Sequence, residues 1–432
     1  MNILNFLKNI VFLAFISLLI LIFFEIVFSA FYPNFVAPVI INGQLLKNID
    51  WIVIPKTIEC SQLGYDIYKN NICDPLNRNH SYGLISLFLP FFNLLKHFYI
   101  NFFPFILKFL FIFSIIFIFP YKKNKEYLII LIFFLSAPFL LIYERSNTDI
   151  LIFILIFSIL YIKNLFINFF VILYLSLYKF FPFAAVINLF FFNKFKIFFI
   201  LSLIIFSSLF LSEFSQLNYF LNSNTYNIHP YSIFSFFGLP ELFMSFLNNN
   251  TLVNFLCIKI FNHYNINIDF QIFKLSFLKT ISYLFYIIFI TFLLLINFKK
   301  IKFILKNNIS DNYKLNYFLQ NSFLISSSII IFCYFLFPSF YYREVFIILL
   351  FPYLISLSVN GCTFSNFFAN FIMVKIINTS LTIFLVNYSD SIIIAGIASS
   401  IRHFVDLIFI IFLSITIIKF FKNSFIQKKV NI

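Results

Sequence analysis

Charge is what this sequence most lacks: only 10% of its 432 residues are Asp, Glu, Lys or Arg. Soluble domains carry about 25%, so a surface built to face water is excluded. Glycine is scarce too, with 6 residues, and no Gly-rich run suited to cradling a phosphate occurs. Tryptophan appears once and cysteine five times, and no Cys/His spacing resembles a zinc site. No hydrophilic block or Pro/Gly/Ser linker is long enough to form or join a separate globular domain. No internal repeat stands out either, which argues against a transporter built from two matching halves. The net charge of +15 is spread over short loops instead of one basic face, so a nucleic-acid partner is not indicated.

What remains is apolar and aromatic: 62% of residues are hydrophobic and 75 are Phe. Phe, Ile, Asn and Lys have A/T-rich codons, so part of this bias carries no functional message. Membrane helices often meet through small residues; here Phe must fill much of that packing. Apolar runs such as 11–22, 109–119 and 281–296 recur along the chain. About 20 such residues span a hydrocarbon core of about 30 Å, at about 1.5 Å per helical residue. The runs do not alternate as barrel strands do, which leaves helices as the spanning elements. The chain therefore reads as an all-α polytopic membrane protein, a single integral membrane domain over 1–432, with about 10–13 transmembrane helices. The first run, 7–28, is longer than a secretory apolar region and reads as a retained first helix.

Lysines give the topology, because positive charge in short loops favours the cytoplasmic side. Four clusters are placed inside: Lys122, Lys123 and Lys125; Lys194 and Lys196; Lys299 to Lys306; and Lys419 to Lys429. The matching helices lie near 7–30, 98–119, 127–143, 149–163, 164–178, 181–193, 195–212, 275–297, 317–337, 344–359, 367–386 and 391–418. Both termini are then cytoplasmic, in an inner or plasma membrane. Loops at about 31–82 and 213–270 and the turns 144–149 and 340–344 face the periplasmic or extracellular side. The polar residues best suited to chemistry thus converge on one face.

Three constellations stand out there. Glu144, Arg145, Ser146, Asn147, Thr148 and Asp149 pack three charges into one turn between two spans. Helix capping by Asn147 or Thr148, with Asp149 in a first helical turn, accounts for part of this turn. It leaves Glu144 and Arg145 unexplained, and the planar fork of Arg145 suits phosphate oxygens. Lys179 and Pro182 break an apolar stretch: Pro182 ends or kinks its helix, and Lys179 either snorkels or meets a lipid phosphate. The first loop supplies Asp50, Glu59, Asp66 and Asp74 as candidate general bases; they also serve simply to solvate it. Cys60 and Cys73 lie close enough in sequence for a disulfide that would stiffen this loop.

Together these residues resemble glycosyltransferase family 87. Its members read E-R-G-N-x-D and then K-x-x-P across the following helices. Here Glu144, Arg145, Asn147 and Asp149 match the first motif, and Lys179 and Pro182 match the second about 30 residues later. Ser146 stands where Gly is usual. A subgroup pattern of the first loop is matched by Asp50, Glu59, Cys60, Gly64, Asp66, Asn71, Cys73, Asp74, Pro75, Arg78 and Tyr82, with Gly83 in place of a Pro. Tyr342 and Arg343 before an apolar run resemble a further family feature. The resemblance implies a GT-C-like helical bundle with outer-face loops. It also implies an enzyme moving a sugar from a polyprenyl-phosphate donor to a lipid or glycan acceptor, by inversion. Asp50 would be the base, with Asp66 and Asp74 in reserve. Arg145, Lys179 and Arg343, with Glu144 and Asp149, would hold the donor phosphate or shape the site. No cofactor or metal is implied, and the first loop lacks a close Asp-x-Asp pair. A transporter or flippase of lipid-linked sugars, and an O-antigen polymerase or ligase, are the alternatives.

Overall fold

A computed structural model of the chain describes residues 3–28, 40–41, 44–45, 48–65, 72–73, 102–119, 124–162, 164–179, 181–187, 317–336, 339–388 and 392–430, with single positions scattered between 200 and 284. These residues are overwhelmingly helical. Helix α1 (Ile3–Ile22) continues as a π-helical segment, Phe23–Phe28, and α2 spans Ile49–Gln62. Then come α3 (Phe103–Phe117), α4 (Asn124–Phe134), α5 (Ala137–Arg145), α6 (Asp149–Tyr161) and α7 (Leu165–Tyr178). A 3-10 segment, Phe181–Val186, follows. Further on are α8 (Tyr317–Leu336), a second 3-10 segment (Tyr341–Leu350), α9 (Phe351–Val359), α10 (Thr363–Tyr388) and α11 (Ile392–Val430). Four two-residue strands form two antiparallel pairs: Ile40–Ile41 with Gln44–Leu45, and Ile233–Phe234 with Ser339–Phe340.

Among the described residues, four helices are long and apolar enough to cross a membrane, within α1, α8, α10 and α11. A fifth span results if α4 and α5, bent by 56°, count as one. The chain is thus a multi-pass membrane protein. Helices α3, α6 and α7 are apolar but shorter.

Three sequence expectations are refined. The expected helix at 127–143 is broken at Ser136, whose hydroxyl oxygen caps α5 by accepting from the Phe139 N–H at 3.4 Å. Pro138 at the start of α5 lacks the N–H a continuous helix needs. The first outer loop contains a helix, α2, with Pro55 inside it. The span expected at 344–359 begins as a 3-10 segment before α9. The loop at 213–270 lies mostly outside the described residues.

The chain divides into two compact units. The first comprises 1–227, 315–332 and 342–380. Its core is aromatic: the fully buried Phe139 ring lies 4.9 to 5.9 Å from the rings of Phe24, Phe111, Phe133, Phe134 and Tyr143. Beside this cluster Glu25 accepts hydrogen bonds from Lys108 Nζ at 2.8 Å and the Tyr143 hydroxyl at 3.0 Å, which ties the π-helical continuation of α1 to α3 and α5. In the second unit, Phe234 packs on Tyr334 and Thr382 donates to the Ala398 carbonyl of α11. The buried face of α11 carries Ser399, Arg402, His403 and Asp406, at helical spacing.

Removing a buried Phe ring from such a cluster leaves a cavity the neighbours fill only in part. Phe139→Ala is expected to lose roughly 3 kcal/mol, at the low end for a buried Phe. Thermal unfolding in detergent should show a clear fall in Tm for Phe139→Ala and a much smaller one for Phe139→Leu.

Candidate functional site

The site grows from the turn between α5 and α6. Ser146 ends α5 in the left-handed region at φ 46°, where a side chain costs about 1–2 kcal/mol. The turn closes with Ser146 N–H donating to the Tyr143 carbonyl and Asn147 N–H to the Ile142 carbonyl, each at 3.2 Å. This satisfies carbonyls that a helix end otherwise leaves open. The Asn147 Oδ1 then accepts from the Asp149 N–H at 3.0 Å, starting α6. Asp149 falls in the first turn of α6, where the helix dipole favours a negative charge.

The start of α2 docks on this turn. Asn48 N–H donates to the Glu144 carbonyl at 3.0 Å, and the Ser146 hydroxyl donates to Asn48 Oδ1 at 2.6 Å. Asp50, one residue into α2, accepts from Asn147 Nδ2 at 2.8 Å. Trp51 is buried beside it, 5.1 Å from the Phe103 ring. At the far end of α2, Gly64 takes φ 84° and ends the helix. Cys60 is bonded to Cys73 with a Cα separation of 5.7 Å, closing the loop that contains Asp66.

Two cations reach the other side of the turn. Lys179 caps α7 in an extended conformation, ahead of the 3-10 segment that holds Pro182. Its ammonium donates to Asn147 Oδ1 at 3.3 Å and pairs with Asp149 Oδ1. Arg343 comes from the 3-10 segment Tyr341–Leu350. Its Nε lies 3.5 Å from Asp149 Oδ2, and its guanidinium sits 4.9 Å above the Phe181 ring. The Asp149 side chain is fully buried. Two cations thus meet one buried carboxylate, in apolar surroundings where charge demands a partner.

Asp50, Asp149, Lys179 and Arg343 thus fall in one connected network. Glu144 is buried and joins it through its carbonyl. Arg145 is half-buried on the same turn, and its Nε makes no hydrogen bond among the described residues. Asp66 and Asp74 lie outside the described residues. The sequence offered Asn147 or Thr148 as the helix cap; in the structure Thr148 holds the N-cap position without a side-chain capping bond, while Asn147 accepts from the Asp149 N–H and also joins Asp50 to Lys179. Asn48 was missed, and nothing in its surroundings in the sequence signals it. Arg145, Lys179 and Arg343 remain the candidates for an anion. Among the described residues, no group of three or more His, Cys, Asp or Glu is placed to hold a metal.

Ser146 offers a direct test of this turn. Ser146→Gly relieves the left-handed backbone but loses a hydrogen bond worth about 0.5–1.5 kcal/mol, so stability should change little. Ser146→Ala keeps the strain and loses the bond, and should lower stability by about 1 kcal/mol. Comparing the two Tm values in detergent checks this order.

No family model matches the chain, and no curated protein or solved structure matches it.

Proposed function

We propose that the protein is a membrane glycosyltransferase of the GT-C type, moving a sugar from a polyprenyl-phosphate donor to an acceptor hydroxyl. One observation carries the reading: residues from position 50 to position 343, named by separate motifs of the family 87 resemblance, meet in one hydrogen-bonded and ion-paired network. In this reading Asp50 accepts the proton of the acceptor hydroxyl as its oxygen bonds to the anomeric carbon of the sugar. The bond from that carbon to the phosphate oxygen breaks, and polyprenyl phosphate departs with the electron pair. Lys179 and Arg343 stabilise the charge that develops there, because fixed cations in a dry site act strongly on a leaving anion. Arg145, on the same turn, serves the same anion when donor is present. The apolar helices around the turn suit a lipid-linked donor that arrives from the bilayer side. Active face outward, with both termini cytoplasmic, is the topology that agrees with the lysines.

The test is transfer of radiolabelled sugar from polyprenyl-phosphate mannose, glucose or arabinose in membranes containing this chain. Asp50→Asn keeps the hydrogen-bonding shape but removes the base, and should lower transfer at least about 100-fold while the protein stays folded. Activity that survives Asp50→Asn moves the base to Asp66 or Asp74. Absence of transfer with all three donors, from folded wild-type protein, overturns the reading and favours transport of lipid-linked sugars.

A further inference from the structure

Arg343 is followed at once by Glu344, and the two side chains enter ion pairs with different partners. Glu344 and Lys375 are both almost wholly buried. Glu344 Oε2 accepts from Lys375 Nζ and, at 3.2 Å, from Thr379 Oγ1, one turn further along α10. A 3-10 segment advances about 120° per residue. Neighbouring side chains therefore diverge, Arg343 towards Asp149 and Glu344 towards α10. The same segment is held again at Phe346. Its carbonyl accepts from the Ser326 hydroxyl at 2.6 Å, and its ring lies 5.6 Å from Phe181 and 5.7 Å from Phe153.

Stability does not account for the Glu344–Lys375 pair. Replacing a buried ion pair by apolar residues of similar volume is often neutral or stabilising, and ionisable groups within a membrane domain are costly. What an apolar pair cannot supply is direction. A charge-assisted hydrogen bond fixes the rotation of its backbone segment in a way that packing of freely sliding methyl groups does not. One residue away, that rotation sets where the Arg343 guanidinium lies relative to Asp149 and Phe181. A displacement of about 1 Å at such a group is enough to lower activity about 100-fold.

We infer that Lys375 is a positioning residue: acting through Glu344, with Thr379, it fixes the rotation of the Tyr341–Leu350 segment and so holds Arg343 where a lipid-linked monophosphate is bound. This rests on the reading of Arg343 as a donor-phosphate ligand. Its test separates the two. Farnesyl phosphate, a short polyprenyl monophosphate, is titrated into the full chain in detergent, with the fluorescence of Trp51, the sequence's single tryptophan, as the reporter. The double variant Lys375→Met with Glu344→Gln removes both charges together and leaves neither stranded. Its Tm should stay within a few degrees of wild type while its Kd for farnesyl phosphate rises about tenfold, roughly 1.4 kcal/mol. An unchanged Kd in the folded double variant overturns the inference and leaves the glycosyltransfer reading standing. No binding to folded wild-type protein overturns both. Should the double variant not fold, Thr379→Val decides, since it removes one hydrogen bond and no charge. Binding about threefold weaker then supports the inference, and wild-type binding overturns it.

Discussion

A fully buried carboxylate, Asp149, is the constraint that organises the first unit of this protein. Taking such a charge out of water costs several kcal/mol even after relaxation. The surrounding structure meets that cost from three directions: the α6 N-terminus, the ammonium of Lys179 and the guanidinium of Arg343. None of these can be moved independently. Lys179 stands at the end of α7, Arg343 comes from the Tyr341–Leu350 segment, and Asn147 meets the start of α2. An apolar residue at 149 would release both cations at once, and the turn of six residues is the junction for elements nearly three hundred positions apart.

The scaffold that carries this junction is aromatic because the chain has almost no glycine to spare. Helices that meet through small residues approach closely and use backbone contact. Here Phe rings fill the gap instead, in edge-on and tilted pairs that suit their quadrupoles, as around Phe139. Rings of this size tolerate few rotamers in a packed interior. The polar tie of Glu25 with Lys108 and Tyr143 sits at the edge of the same cluster and gives it a direction that packing alone does not.

Local chemistry was the legible part of the sequence. The turn from Glu144 to Asp149 announces itself by placing three charges in an apolar chain, and Lys179 with Pro182 announces a helix end. Apolar run lengths gave the helical class, and only the class: they did not reveal the break at Ser136, because its polar signal is one hydroxyl followed by Ala-Pro. Helix α2 was hidden by its composition, since a proline and three charged residues within Ile49–Gln62 read as a solvated loop. The second role of Asn147 is a long-range property. It depends on α2 returning across almost a hundred residues, and no local pattern encodes that return. Lys375 left a trace, the single charged residue of its span, but lysine is so frequent in this chain that the trace did not stand out.

The junction also separates two kinds of polar contact. Asp50 accepts from the Asn147 amide, and Asp149 pairs with two cations. An amide fixes the direction of a carboxylate without adding a cation beside it. Asn147 joins Asp50 to Lys179 and to the start of α6, because one side-chain amide has a donor end for Asp50 and an acceptor end for Lys179 and the Asp149 backbone. No other short side chain has both ends in one plane. Replacing it by Asp would leave two acceptors facing Asp50, and replacing it by Leu would sever the network at its midpoint. The arrangement therefore requires asparagine on chemical grounds, independent of any resemblance, and it places an oriented carboxylate within a few bonds of a cation-rich node.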